Sequence, residues 1–107
     1  MKKFAFVLMS PYYDPEKHYA HFETEQRDGH IVIVNDYEQA KKKIVELYKD
    51  GFGAIELCGG FGTERVRELI ALTDNKMAIG YVVFDPMQAE VYEDYFGKPL
   101  AAEVTKR

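Results

Sequence analysis

The chain has no tryptophan, one cysteine, four prolines and no long hydrophobic run, and each shortage closes off a class of protein. A single thiol permits no intramolecular disulfide, so a disulfide-stapled scaffold is excluded and a reducing cytoplasm is the expected setting. The opening apolar stretch, Phe4–Met9, is shorter than a signal-peptide core, and no small-residue cleavage site follows it. Nothing approaches the length of a transmembrane helix. Positive charge is also scarce: 14 Lys and Arg stand against 18 Asp and Glu, for a net charge of −4. The one basic cluster, Lys41-Lys42-Lys43, falls on a predicted helix as part of its solvated face. Binding a phosphate backbone needs a positive surface, so neither nucleic acid nor membrane is an expected partner.

The residues that are present describe one globular domain. A length of 107 residues is enough for a single core and too short for two. A hydrophobic fraction of 47% with 30% charged residues is that of a folded chain, not a disordered one. Phe4–Met9 and Ile31–Val34 are unbroken apolar runs, the pattern of parallel strands buried on both faces. Asn35-Asp36 offers a helix N-cap with Gln39 as its capping-box partner. Tyr37, Ala40, Ile44, Leu47 and Tyr48 then recur at helical spacing until Gly51. Ala54–Cys58 is a third strand. Thr63 caps a second helix with Val66, Leu69, Ile70 and Thr73 inward, and Asp74-Asn75 turns the chain into a fourth strand, Met77–Phe84. Asp85-Pro86 opens a third helix whose Met87, Val91, Tyr92, Tyr95 and Phe96 call for apolar contact on two sides. Gly97 ends it, and residues 99–107 are expected to be loose.

This alternation predicts an α/β domain spanning 1–107: a small, mainly parallel four-stranded sheet with three or four helices, in the flavodoxin-like or Rossmann-like order 2-1-3-4. Residues 10–30 are the ambiguous stretch. Asp14-Pro15 favours a short helix over 15–22, whereas Asp28-Gly29 as a hairpin turn would make 21–27 an antiparallel edge strand. Either way one sheet face is thinly covered, and the apolar third helix predicts a homodimer or larger assembly.

The densest chemical signal is Ala54-Ile-Glu-Leu-Cys-Gly-Gly-Phe-Gly-Thr-Glu-Arg-Val66. A strand running into three closely spaced glycines and then a helix can present backbone N–H groups to an anion. Gly59, Gly60, Phe61, Gly62 and Thr63 are therefore candidate ligand-binding positions, alternatively a tight turn that needs only positive φ. The spacing is neither a full G-x-G-x-x-G fingerprint nor a Walker motif. Ligands of open parallel sheets bind beyond the strand C-termini, which adds Ser10, Tyr12, Asp14 and Asp85, the last also a plain helix cap. Glu56 inside a strand is either an acid or base with a raised pKa, a structural ion pair, or an exposed residue on a badly covered face. Cys58 is a candidate nucleophile if a histidine is near, or a small buried residue at a turn. His18, three residues from His21, is a candidate acid or base. The histidine spacing lacks the His-Glu-x-x-His pattern, and no metal or cofactor is assigned.

Asp14-Pro-Glu-Lys-His18, Ile55-Glu-Leu-Cys-Gly-Gly-Phe-Gly62 and Gly80-Tyr-Val-Val-Phe-Asp85 together resemble a family of small uncharacterised prokaryotic α/β proteins. The resemblance implies a compact single domain and supports the same candidate residues, without a mechanism. The functional expectation is a small cytoplasmic protein binding an anionic metabolite at the glycine loop, with proton-transfer catalysis by Glu56 and His18 if it is an enzyme. The alternative is a non-catalytic ligand sensor or an oligomeric interaction module.

Overall fold

The structure, a computed structural model, describes residues 1–97; the tail expected over 99–107 lies outside them. Its elements run β1 (Lys2–Met9), β2 (Ala20–Glu23), β3 (Arg27–Val34), α1 (Tyr37–Lys49), β4 (Phe52–Leu57), α2 (Gly62–Leu72), β5 (Ala78–Tyr81), a 3₁₀ turn (Pro86–Gln88) and α3 (Ala89–Phe96). The sheet order is β2-β3-β1-β4-β5. β1 pairs in parallel with β3 and β4, β4 in parallel with β5, and β2 antiparallel with β3. The four strands expected from sequence are thus present in the order 2-1-3-4, and a fifth, antiparallel strand forms the edge.

The favoured short helix over 15–22 does not form. Residues 15–17 are a turn, and Ala20–Glu23 is strand β2. The hairpin alternative holds in outline, but its reversal is at Thr24–Gln26, where the Thr24 hydroxyl accepts from the Gln26 and Arg27 amides. Asp28-Gly29 lies inside β3 instead. Glycine has no side chain opposite Phe22, so the pair closes without a clash.

Local signals account for α1, whereas the cap expected from Thr63 is corrected: α2 begins at Gly62, with Phe61 at the N-cap and no side-chain capping bond there. Asp36 accepts from the Gln39 amide at 2.9 Å, and Gln39 Oε1 returns the bond to the Asn35 amide at 2.8 Å, a capping box shifted by one residue. Gly51, at φ +91°, ends α1. Asp74 and Asn75, both at φ +54°, make the turn after α2, a conformation that short polar side chains tolerate. Tyr37 ties α1 to α2 by donating to Glu68 at 2.7 Å; burial and that acceptor push its phenol well above the ordinary range.

Strand alternation divides the sheet into two unlike faces. Ala5, Val7, Val34, Ile55 and Leu57 point one way and form a single buried cluster with Ala40, Ile44 and Leu47 of α1 and Val66 and Leu69 of α2. Phe4, Phe6, Leu8, Ile31, Ile33, Ala54 and Glu56 point the other way. Phe4, Ile31 and Glu56 are exposed, while Phe6 and Leu8 are half-buried. Burial on both faces, expected from the unbroken apolar runs, is therefore corrected: α1 and α2 lie together on one side, and α3 buries no residue at all.

Phe61 enters the same core and is fully buried. Its truncation should leave a cavity between α2 and the sheet, so Phe61→Ala is expected to lower unfolding free energy by about 3–5 kcal/mol in denaturant titration.

Candidate functional site

Two loops meet at the C-terminal ends of the central strands: residues 10–19 after β1 and the glycine turn after β4. Their junction is made by backbone and thiol. The Cys58 amide donates to the Val7 carbonyl at 3.1 Å, and Cys58 Sγ accepts from the Met9 amide at 3.3 Å. Cys58 is half-buried against the core, and no histidine contacts it among the described residues. Its placement matches the packing alternative, where a small thiol joins β1 to β4.

The glycine turn is partly spent on itself. The Phe61 amide donates to the Cys58 carbonyl at 3.3 Å, and the Phe61 ring is in the core. Gly59 backs onto the Val82 carbonyl, and Gly60 faces Cys58 Sγ, where an added Cβ would make ordinary contact at 3.7 Å. Phe61 is in the right-handed helical region and Gly62 follows at φ +76°. Gly62 supplies that left-handed step because it has no Cβ, and both Phe61 and Gly62 are buried.

The loop 10–19 is held more elaborately than its sequence suggests. Asn35 Nδ2 donates to the Ser10 carbonyl at 2.9 Å and the Tyr13 carbonyl at 2.7 Å, pinning both ends of its first turn. Ser10 Oγ accepts from the Tyr12 amide, and Tyr12 itself is 88% exposed. Asp14 Oδ1 accepts from the Glu16 amide at 2.9 Å, and the Asp14 amide donates to His18 Nδ1 at 2.8 Å. With Nδ1 as acceptor, neutral His18 carries its proton on Nε2 and offers it as a donor. Tyr13 meets the His18 ring edge-on at 5.9 Å.

This loop lies along the helix-free sheet face and borders a shallow, largely open depression of about 360 Å³ lined by Leu8, Tyr13, His18, Tyr19, Ala20, Ile31 and Ile33. Glu56 stands on the same face, two strands from Ile31 and Ile33. Its carboxylate lies over Gly80, where an added Cβ would come within 2.8 Å of the carboxyl carbon. Glu56 is exposed and forms no ion pair among the described residues, as in the reading that put it on a badly covered face. Asp85 caps the 3₁₀ turn, accepting from the Met87 amide at 2.9 Å. The fold thus brings His18 and Glu56 to one face, with Asp14 positioning His18. Cys58 and the glycines sit at the strand ends, and Asp85 serves the helix that follows β5.

Sequence reasoning missed Asn35, Tyr19 and Asp28. Asn35 passed for a capping residue, although its polar amide directly after a buried strand could have signalled a loop anchor. Asp28 passed for a turn residue. It lies between His21 and His30, with Oδ1 2.5 Å and 3.0 Å from their Nε2 atoms. Burial raises the Asp28 pKa, but the two histidines beside it outweigh that, and the net shift is downward.

The chain matches the model of a family of unknown function, DUF6506, over residues 2–97, and belongs to that family. No curated protein and no solved structure matches it. Among the described residues no helix is long and apolar enough to cross a membrane.

Asn35→Ala removes two bonds that anchor the loop. It is expected to cost about 1–2 kcal/mol in unfolding free energy, and limited proteolysis within residues 10–19 should accelerate.

Proposed function

We propose that the chain is a small-molecule-binding protein whose ligand sits on the helix-free sheet face, beside the loop 10–19. The observation that carries this reading is the depression itself: an apolar floor of Leu8, Ile31 and Ile33, aromatic sides from Tyr13 and Tyr19, and one imidazole. An apolar or aromatic body fits such a lining, and a carboxylate or other acceptor group on it would meet His18 Nε2–H. The anionic group expected from sequence is thereby assigned to His18 first and to the Gly62 turn second. At the turn, the Phe61 amide already has its acceptor, and Phe61 and Gly62 are buried. If the protein is an enzyme, His18 and Glu56 are the acid–base pair, since both face the same side of the sheet.

A second reading rests on exposed apolar surface. Phe22, Met87, Val91, Tyr95 and Phe96 are between 59% and 84% exposed. A sheet face without a helix and an apolar helix without a sheet, both on one chain, support self-association in which α3 of one copy covers the open face of another.

The two ligand positions separate in a thermal-shift screen of carboxylated and phosphorylated aromatic and aliphatic compounds. Ala20→Trp fills the depression and should abolish stabilisation, whereas Gly60→Ala, which has room for its methyl, should leave it intact. Loss of stabilisation in Gly60→Ala alone would move the ligand to the glycine turn. Stabilisation by no compound would reject the binding reading.

A further inference from the structure

A second cluster lies away from the depression, on the opposite face of the sheet near the β2 edge. In the antiparallel β2–β3 pair His21 is directly opposite His30, and Asp28, two residues before His30, shares its face. His21 Nε2, His30 Nε2 and a carboxylate oxygen of Asp28 all lie within 4.8 Å of one another. The His30 nitrogen is buried and makes no well-formed hydrogen bond, although it stands 3.0 Å from Asp28 Oδ1. Two imidazoles therefore share one carboxylate oxygen, and the inner one is left without a proper partner, an arrangement that costs free energy in the metal-free state.

We infer that His21, Asp28 and His30 form a three-ligand site for a first-row divalent transition ion, with Zn²⁺ as its probe. Two nitrogens and one carboxylate oxygen suit Zn²⁺, Co²⁺, Ni²⁺ or Fe²⁺, whereas Ca²⁺ and Mg²⁺ prefer all-oxygen shells. Ligand atoms about 2.0–2.1 Å from a tetrahedral ion stand about 3.3 Å apart. The Asp28–His30 separation is close to this, and the Asp28–His21 separation has to open by about 0.8 Å. The two rings are stacked at 4.2 Å and nearly parallel, so they must splay for both lone pairs to converge. His21 has the freedom to do so: its side chain is 41% exposed on an edge strand, and the terminal imidazole torsion is soft. His30 is fixed from behind by the edge-on Phe52 ring at 5.1 Å. Lys3, opposite Asp28 in the β1 register, is held by the Asp50 carbonyl at 3.0 Å. The bound ion would cross-link β2 to β3 and keep at least one coordination position open to water.

The test is titration of the untagged full chain, stripped with chelator, with Zn²⁺ in a calorimeter and with Co²⁺ by visible absorption. One saturable site per chain is expected, with affinity reduced at least about 100-fold in His30→Gln and in His21→Ala, since loss of a ligand exceeds the 10–100-fold effect of losing its outer partner. His18→Ala should bind as the parent does. Zn²⁺ should raise the melting temperature of the parent but not of the His21→Ala/His30→Gln double variant. His21→Ala perturbs only an exposed edge residue, so it remains informative if the His30 variant fails to fold. Absence of a 1:1 site in the parent, or equal binding by His21→Ala, would overturn the assignment.

Discussion

The burial of Ala5, Val7, Ile55 and Leu57 beneath α1 and α2 is the constraint from which the other features descend. In a strand the side chain of every second residue must leave by the opposite face. Fixing those four inward therefore fixes Phe4, Phe6, Leu8, Ala54 and Glu56 outward, on a side that neither α1 nor α2 reaches. A slip of one residue would exchange the two sets and bring Glu56 into the apolar core, where an unpaired carboxylate is costly. The register between β1 and β4 is thus held by charge on one face as well as by packing on the other.

The asymmetric sheet explains where chemistry can gather. The loop after β1 cannot continue into a helix, because Asn35 draws the Ser10 and Tyr13 carbonyls back to the end of β3. The chain then crosses the open face, lays His18 and Tyr19 beside Leu8, Ile31 and Ile33, and returns as an edge strand. On the other side of the sheet that edge strand aligns His21 with His30. A single detour, residues 10–30, so generates both the depression and the histidine cluster.

Much of this was legible in the residues. The inward stripes of α1 and α2, the capping Asp36 and Asp85, and the turns at Gly51 and Asp74-Asn75 all follow from local periodicity and end signals. The failures are equally physical. Unbroken apolarity in Phe4–Met9 reads as two-sided burial, yet a loop and exposed aromatic surface take the place of a second helix layer. Asp14-Pro15 has the chemistry of a helix start, but Asp14 spends it on the His18 ring and the Glu16 amide. Asp28-Gly29 resembles a hairpin turn, although Thr24 makes the turn and Asp28 lies inside β3, between His21 and His30. The Gly59–Gly62 segment announced a special backbone, which it has, but sequence could not show that Phe61 would use its ring for the core and its amide for Cys58.

The face assignment can be tested directly by thiol accessibility. In a Cys58→Ser background, Glu56→Cys and Ile55→Cys place one thiol on each side of β4, and maleimide labelling of dilute native protein reports which is reachable. The thiol at position 56 is expected to react at nearly the rate of an unfolded control, while that at position 55 is protected until the chain unfolds. Equal protection of both would contradict the face assignment, because the face that carries Glu56 would then be covered.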